Sequence, residues 1–328
     1  MLRLKSRGSY AQNNREGQKD DRKEEGAMYT KMLIPLDGSK TAEKVLPYAR
    51  YLVGKLRIPV ELLAAIDMAE MATHIPAEKA RLFESMIEDS VRNSAGYLRG
   101  VASTFRDADV KCTVEKGRAD AVIVEKGGED TGTLICMATH GRSGLDRFLL
   151  GSVAEKVLRA AANPLMLVRA TEEAKSEAEA ALKSMIVPLD GSELAESVIP
   201  MVAEVANKLQ LEVILFRAYH IPYYAYAGDE TSFVVDYDEL LVGVRDEATE
   251  YLERKMAEVK KLGVEKVTFA TEEGFAADKI IALARKTPDN LIAMCSHGRT
   301  GVKRWVLGSV AETVVRHSGD PVLINRPD

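Results

Sequence analysis

The chain repeats itself once, and the repeat constrains its fold more than any other feature. Met32-Leu-Ile-Pro-Leu-Asp-Gly-Ser39 returns as Met185-Ile-Val-Pro-Leu-Asp-Gly-Ser192, 153 residues on. Gly117 returns as Gly274, and His140-Gly-Arg-Ser-Gly144 as His297-Gly-Arg-Thr-Gly301, both 157 residues on. The second copy thus carries four extra residues, in a variable loop around Tyr223 to Phe233. A chain of 328 residues suits two domains of about 150 each.

Each copy alternates strand-like runs with helical periodicity. In the first, Lys31–Leu36 reads as a buried strand, and Ser39 to Lys55 follows as a helix. That helix has Ala42, Val45, Leu46, Ala49 and Leu52 at three- and four-residue steps. Val60–Ile66 is the second strand, a long helix falls within Pro76–Phe105, and Val110–Glu115 is the third strand. A helix at Ala119–Gly127, a strand at Thr133–Thr139, a helix at Leu149–Ala162 and a last strand at Leu165–Arg169 complete the copy. This alternation predicts α/β architecture: two tandem doubly wound domains, each a five-stranded parallel sheet covered on both faces. Such sheets bind ligands beyond the carboxyl ends of their strands, at a topological switch point. Chemistry is therefore expected just after strands one and four.

Residues 1–27 are polar and charged and read as a disordered tail. If Met28 is the natural start, this stretch is no part of the protein. Residues 28–170 form the first domain and 185–328 the second. The linker between them, 171–184, is rich in the helix formers Ala, Glu and Lys.

Net charge is −5 and aromatic residues make up 6%. Neither attracts nucleic acid or an anionic membrane. No apolar run approaches the roughly 18 residues of a membrane span, and no secretory signal is visible. Cys112, Cys136 and Cys295 give neither a disulfide framework nor a metal pair. A reducing, cytoplasmic setting is expected.

The fourth strand runs into Ala138-Thr-His-Gly-Arg-Ser-Gly-Leu-Asp-Arg-Phe-Leu-Leu-Gly-Ser152. The second copy reads Cys295-Ser-His-Gly-Arg-Thr-Gly-Val-Lys-Arg-Trp-Val-Leu-Gly-Ser309. Gly141 and Gly144, with Gly298 and Gly301, can turn backbone N–H groups towards an anion. Gly151-Ser152 and Gly308-Ser309 lie near the start of the next helix, where free N–H groups and the positive helix end favour phosphate. Arg142 and Arg299 can screen phosphate charge. The pattern is neither a Walker A loop nor a dinucleotide fingerprint. Glycines that merely shape a turn and a cap account for it equally well.

At these residues the chain resembles the universal stress protein family, whose ATP-binding members carry G-2x-G-9x-G-(S/T). Gly141-9x-Gly151-Ser152 and Gly298-9x-Gly308-Ser309 match its second and third elements. The first glycine is replaced by Ala138 and Cys295. The resemblance implies an adenine nucleotide alpha hydrolase-like fold and an intrachain pseudo-dimer. The last strands, Leu165–Arg169 and Val322–Arg326, would pair across its two-fold axis. It implies ATP as ligand, with Mg2+ or Mn2+ carried by the phosphates. It places adenosine against Pro35, Asp37 and Ala65, and against Pro188, Asp190 and Ala218. His140 and Val153, with Val310 in the second copy, complete the implied nucleotide contacts. Asp37 and Asp190 would equally suit a turn and a helix cap.

Glu155 and Glu312 lie one turn into their helices and favour the positive end. No general acid and base can be nominated from sequence, and His140 and His297 have no visible partner. The leading reading is a nucleotide-binding stress-response regulator, with a protein partner or a homo-oligomer left open. A scaffold with vestigial loops and a slow ATPase or nucleotidyl- or phosphotransferase are the competitors.

Overall fold

The computed structural model describes residues 28–73, 80–139, 150–169, 180–221, 237–296 and 307–326. The N-terminal tail, most of the linker, the tyrosine-bearing loop of the second copy and both glycine-rich loops lie outside the described residues.

The first half runs β1 (Lys31–Pro35), a 3-10 turn (Ala42–Val45), α1 (Leu46–Leu56), β2 (Val60–Ile66), α2 (Met68–Thr73) and α3 (Ala80–Ala102). It continues with β3 (Val110–Lys116), α4 (Ala119–Gly128), β4 (Thr133–Ala138), α5 (Ser152–Ala160) and β5 (Leu165–Val168). The second half repeats this with β6 (Ser184–Pro188), α6 (Glu193–Glu196), α7 (Ile199–Leu209), β7 (Glu212–Tyr219) and α8 (Tyr237–Lys261). It ends with β8 (Val267–Glu273), α9 (Ala276–Lys286), β9 (Asn290–Cys295), α10 (Ser309–His317) and β10 (Val322–Asn325). β6 begins at Ser184, inside the stretch read as linker, and Leu182 is already buried.

The described strands form one ten-stranded sheet in the order β3-β2-β1-β4-β5-β10-β9-β6-β7-β8. Each half is parallel within itself and doubly wound, so its order reverses between β1 and β4, or β6 and β9. The halves join through β5 and β10, which run antiparallel with Val322 opposite Leu167 and Ile324 opposite Leu165. This is the intrachain pseudo-dimer, and it removes one exposed edge from each half. Arg169 and Arg326, read as the last strand residues, stand just beyond the ladder.

Alternation along β1 sends Met32 and Ile34 to one face and Leu33 to the other. Each face has its own apolar core, and each core runs unbroken through both halves. On the first face Tyr51 of α1 donates from its hydroxyl to the Leu182 carbonyl at 3.3 Å.

The helix expected over Ser39 to Lys55 is divided. A 3-10 turn precedes α1, with Pro47 in the first helical turn. Proline lacks an N–H and its ring clashes with the preceding turn, so it starts an α-helix and cannot continue one. α7 starts the same way at Pro200. α1 ends where Arg57 adopts φ 55°, and α7 ends at Gln210 with φ 57°. α5 is shorter than the expected Leu149–Ala162, and α2 carried no sequence signal.

Candidate functional site

Backbone accounting locates the site. Met32 N–H donates to Pro59 and Leu36 N–H to Leu63, so the even-numbered residues of β1 point their N–H groups at β2. The nitrogen of Pro35 therefore faces β4. A proline there removes a donor that would otherwise need a β4 partner. The β1–β4 ladder in fact stops at Leu33 opposite Ile135, although β1–β2 continues to Pro35 and β4–β5 to Ala138. The two central strands stop pairing short of the carboxyl edge, at the switch point where doubly wound folds bind ligands. The second half parts at the same place, with its last β6–β9 pair at Ile186 and Ile292.

On one side of each switch point is the turn after the first strand. Asp37 Oδ1 accepts from the Ser39 N–H at 2.9 Å, and Asp190 Oδ1 accepts from the Ser192 N–H at 2.9 Å and its hydroxyl at 2.6 Å. Ser39 Oγ accepts from the Ala42 N–H, and Ser192 Oγ from the Ala195 N–H, both at 3.1 Å. Gly38 at φ 79° and Gly191 at φ 87° supply the left-handed residue between carboxylate and cap. The carboxylates thus turn the chain, and the serines cap the next helical turn.

On the other side is the end of the fourth strand. Thr139 N–H donates to the Val168 carbonyl at 2.9 Å, and Gly151 N–H returns to the Thr139 carbonyl at 2.8 Å. Ser296 N–H likewise donates to Asn325 at 3.0 Å, and Gly308 N–H to Ser296 at 2.8 Å. The described residues flanking each glycine-rich segment are thus joined by a backbone hydrogen bond. α5 starts from Gly151 and α10 from Gly308, and among the described residues no side chain caps either helix. Neither glycine uses a left-handed backbone, with φ −60° and −61°. Ser152 and Ser309 are exposed, and Val153 and Val310 are half-buried against the second core. Both helices thus start at the carboxyl edge of the sheet, and a helix start favours an anion.

Pro35 and Ala138 end β1 and β4, Asp37 lies in the turn after β1, and Gly151, Ser152 and Val153 start α5. Ala65 lies on β2, two positions beyond the Pro35–Leu63 level and opposite Glu115. Pro188, Asp190, Ala218, Cys295, Gly308, Ser309 and Val310 take the equivalent places. Cys295 is buried and accepts a hydrogen bond from the Ser197 hydroxyl at 3.7 Å, on the α6 side. His140, Gly141, Arg142, Gly144, Gly298, Arg299 and Gly301 lie outside the described residues. No group of three or more His, Cys, Asp or Glu among the described residues could hold a metal ion.

The family model for the universal stress protein family matches this chain twice, over residues 28–169 and 181–326. The chain belongs to the universal stress protein family. A universal stress protein of Methanocaldococcus jannaschii is 30% identical over 142 residues, covering 43% of this chain and 81% of the relative. One of Mycobacterium bovis is 22% identical over 300 residues, 90% of this chain and 96% of its own length. A solved universal stress protein from Archaeoglobus fulgidus superposes with a TM-score of 0.65 at 18% identity, covering 90% of this chain and 98% of that one.

Two features of this universal stress protein escaped the sequence reading. Glu155 and Glu312 do more than sit at a positive helix end. Arg159 pairs with Glu155 at 3.1 Å and Arg316 with Glu312 at 2.8 Å. Arg159 also approaches Glu312 at 3.9 Å, and Arg316 approaches Glu155 at 3.8 Å. The four charges bind α5 to α10 across the pseudo-two-fold. The second feature is the arginine after each last strand. Arg169 and Arg326 occupy equivalent places, and burial depresses the pKa of both. Their signal was present, since Pro164-Leu-Met-Leu-Val-Arg169 and Pro321-Val-Leu-Ile-Asn-Arg326 align along the repeat.

Proposed function

We propose that the protein binds ATP at the carboxyl edge of each half, as a nucleotide-responsive regulator of a stress response in the cytoplasm. The observation that carries this reading is the parted central ladder. In both halves the first and fourth strands stop pairing short of the carboxyl edge, where one helix starts from a glycine and an Asp-Gly-Ser turn follows the first strand. Phosphates would lie against Gly151, Ser152 and Val153, with Gly141, Arg142 and Gly144 as further contacts. Adenosine would lie towards Pro35, Asp37 and Ala65, with Ala138 and His140 beside it. Pro188, Asp190, Ala218, Cys295, Gly298, Arg299, Gly301, Gly308, Ser309 and Val310 would do the same in the second half. A divalent ion, Mg2+ or Mn2+, would be held through the phosphates, which supply hard oxygen ligands. Residues 28–170 and 185–328 would act as the two binding units, joined by 171–184.

The test is binding of a fluorescent ATP analogue to the full chain, to Gly141→Val, to Gly298→Val and to the double variant. Each single variant should lose one of two sites and the double variant both. Unchanged binding by the double variant overturns the loop assignment. A protein-contact role for the second half has one observation in its favour. Phe275 is 72% exposed, with the His220 ring 5.6 Å away, where the first half has Arg118 paired to Asp120. Absence of nucleotide binding by the parent chain would promote that reading.

A further inference from the structure

Among the described residues, Arg326 is a guanidinium with two enclosed nitrogens left unanswered. Its Nε and Nη2 are shut off from solvent and have no hydrogen-bond partner. A guanidinium stays protonated under all ordinary conditions, so it cannot escape this cost by losing its proton. Burial does depress its pKa, the direction expected when a cation is desolvated without compensation. Arg326 as a whole is half-buried, but enclosed polar atoms in proteins normally have partners, so the two orphaned nitrogens point to a missing acceptor.

Position says which acceptor. Asn325 pairs with Cys295, and the Ser296 N–H reaches the Asn325 carbonyl at 3.0 Å. Arg326 therefore leaves the sheet at the level of Ser296, the point to which Gly308 returns before α10 begins. It stands at the carboxyl edge where the uncapped helix start already favours an anion. Its two orphaned atoms are also on one edge of the guanidinium. Nε–H and Nη2–H lie side by side and match two oxygens of one oxyanion. Among the described residues no carboxylate pairs with Arg326, and the only charge interaction it has there is with Cys295.

We propose that Arg326 binds a phosphate-type oxyanion bidentately at the carboxyl edge of the second half. The proposal rests on the reading of that edge as a nucleotide site, and it names the residue that answers the phosphate charge there. It also makes the second half, despite Cys295, a binding half in its own right. A nucleotide and free phosphate offer the same chemistry, and the experiment separates them.

Thermal unfolding of the full chain is followed in phosphate-free buffer, then with inorganic phosphate, ATP or adenosine. Arg326→Met, Arg326→Lys and Arg169→Met are compared with the parent. Without anion, Arg326→Met should melt above the parent, because a stranded charge is gone. Phosphate and ATP should raise the parent's Tm, and Arg326→Met should lose that response while Arg169→Met keeps it. Arg326→Lys should respond weakly, since an ammonium cannot form the fork. Nucleotide affinity of the second site, read in Gly141→Val, should fall about tenfold or more with Arg326→Met, the loss of one charge-assisted contact. Lower stability of Arg326→Met and Arg326→Lys without anion, or an unchanged anion response in either, overturns the proposal. Stabilisation by phosphate through Arg326 without any ATP binding keeps the oxyanion site and sinks the nucleotide reading. Full-strength ATP binding by Arg326→Met does the reverse.

Discussion

At the scale of single residues, the repeat supplies its own controls. Asp320 and Asn163 are equivalent residues before the last strand of each half. Burial pushes the Asp320 carboxyl from 3.8 up to about 6, against a hydrogen bond from Asn290 and the charge of Arg285. The native state therefore holds this proton more tightly than the unfolded chain does. Stability from it is complete below pH 3.8 and is lost as pH rises to about 6. Asp320→Asn copies the first half and should stabilise the protein by about 1–3 kcal/mol at pH 7.5. It should do little at pH 3.5, and equal Tm shifts at both pH values would refute this assignment. Glu61 titrates in the opposite sense. Burial works against its charge, but hydrogen bonds from Lys31, Thr113 and Lys111 outweigh it and hold the carboxyl near 2. That stability is present above pH 4.5 and is lost as pH falls towards 2. It is worth roughly 3 kcal/mol, so Glu61→Gln should flatten the acid limb of a Tm-against-pH curve. Ser184, Ile214 and Ala270 replace Lys31, Glu61 and Thr113 in the second half. An apolar substitute for a buried ion pair is often as stable as the pair.

At the scale of elements, α1 and α7 both end on a non-glycine residue in the left-handed region, Arg57 and Gln210. A side chain there costs about 1–2 kcal/mol that glycine avoids. Gln210→Gly should therefore raise the urea midpoint by the equivalent of about 0.5–1 kcal/mol after the entropy cost of glycine. A lowered midpoint would mean that Gln210 makes contacts outweighing its backbone strain. The ion network joining α5 and α10 is half-exposed, so a double-mutant cycle on Glu155 and Arg316 should return about 0.5 kcal/mol. A coupling near zero would leave the helices joined by apolar packing alone. Strands and helices of this kind were legible in the sequence where apolar runs are continuous, as in Val60–Ile66, which the structure reproduces residue for residue. The division of the first helix at Pro47 was legible in principle, because proline marks a helix start. The pairing of Glu155 with Arg316 was not, because it depends on how two helices 157 residues apart meet.

At the scale of the whole molecule, the seam decides the architecture. β5 and β10 are four residues each, yet they merge two sheets into one and let both apolar cores pass between the halves. That arrangement was readable from the repeat and from the resemblance it carried. The site was readable only in part. The motif and the resemblance named Gly151, Asp37 and their counterparts as candidates, and the structure bears out the expected turn-and-cap role of Asp37 and Asp190. Arg326 was invisible as a binding residue because one letter at a strand end says nothing about solvent exclusion. Continuous cores also predict joint unfolding: intrinsic fluorescence of Trp305 and far-ultraviolet circular dichroism should report one urea transition. Two separated transitions would show halves that unfold independently. The central claim is that both halves take ATP, and calorimetric titration of ATP into the full chain with Mg2+ tests it most directly. Saturable heat with two nucleotides per chain is the expected result, falling to one in Gly141→Val and in Gly298→Val. No saturable heat at millimolar ATP would contradict it.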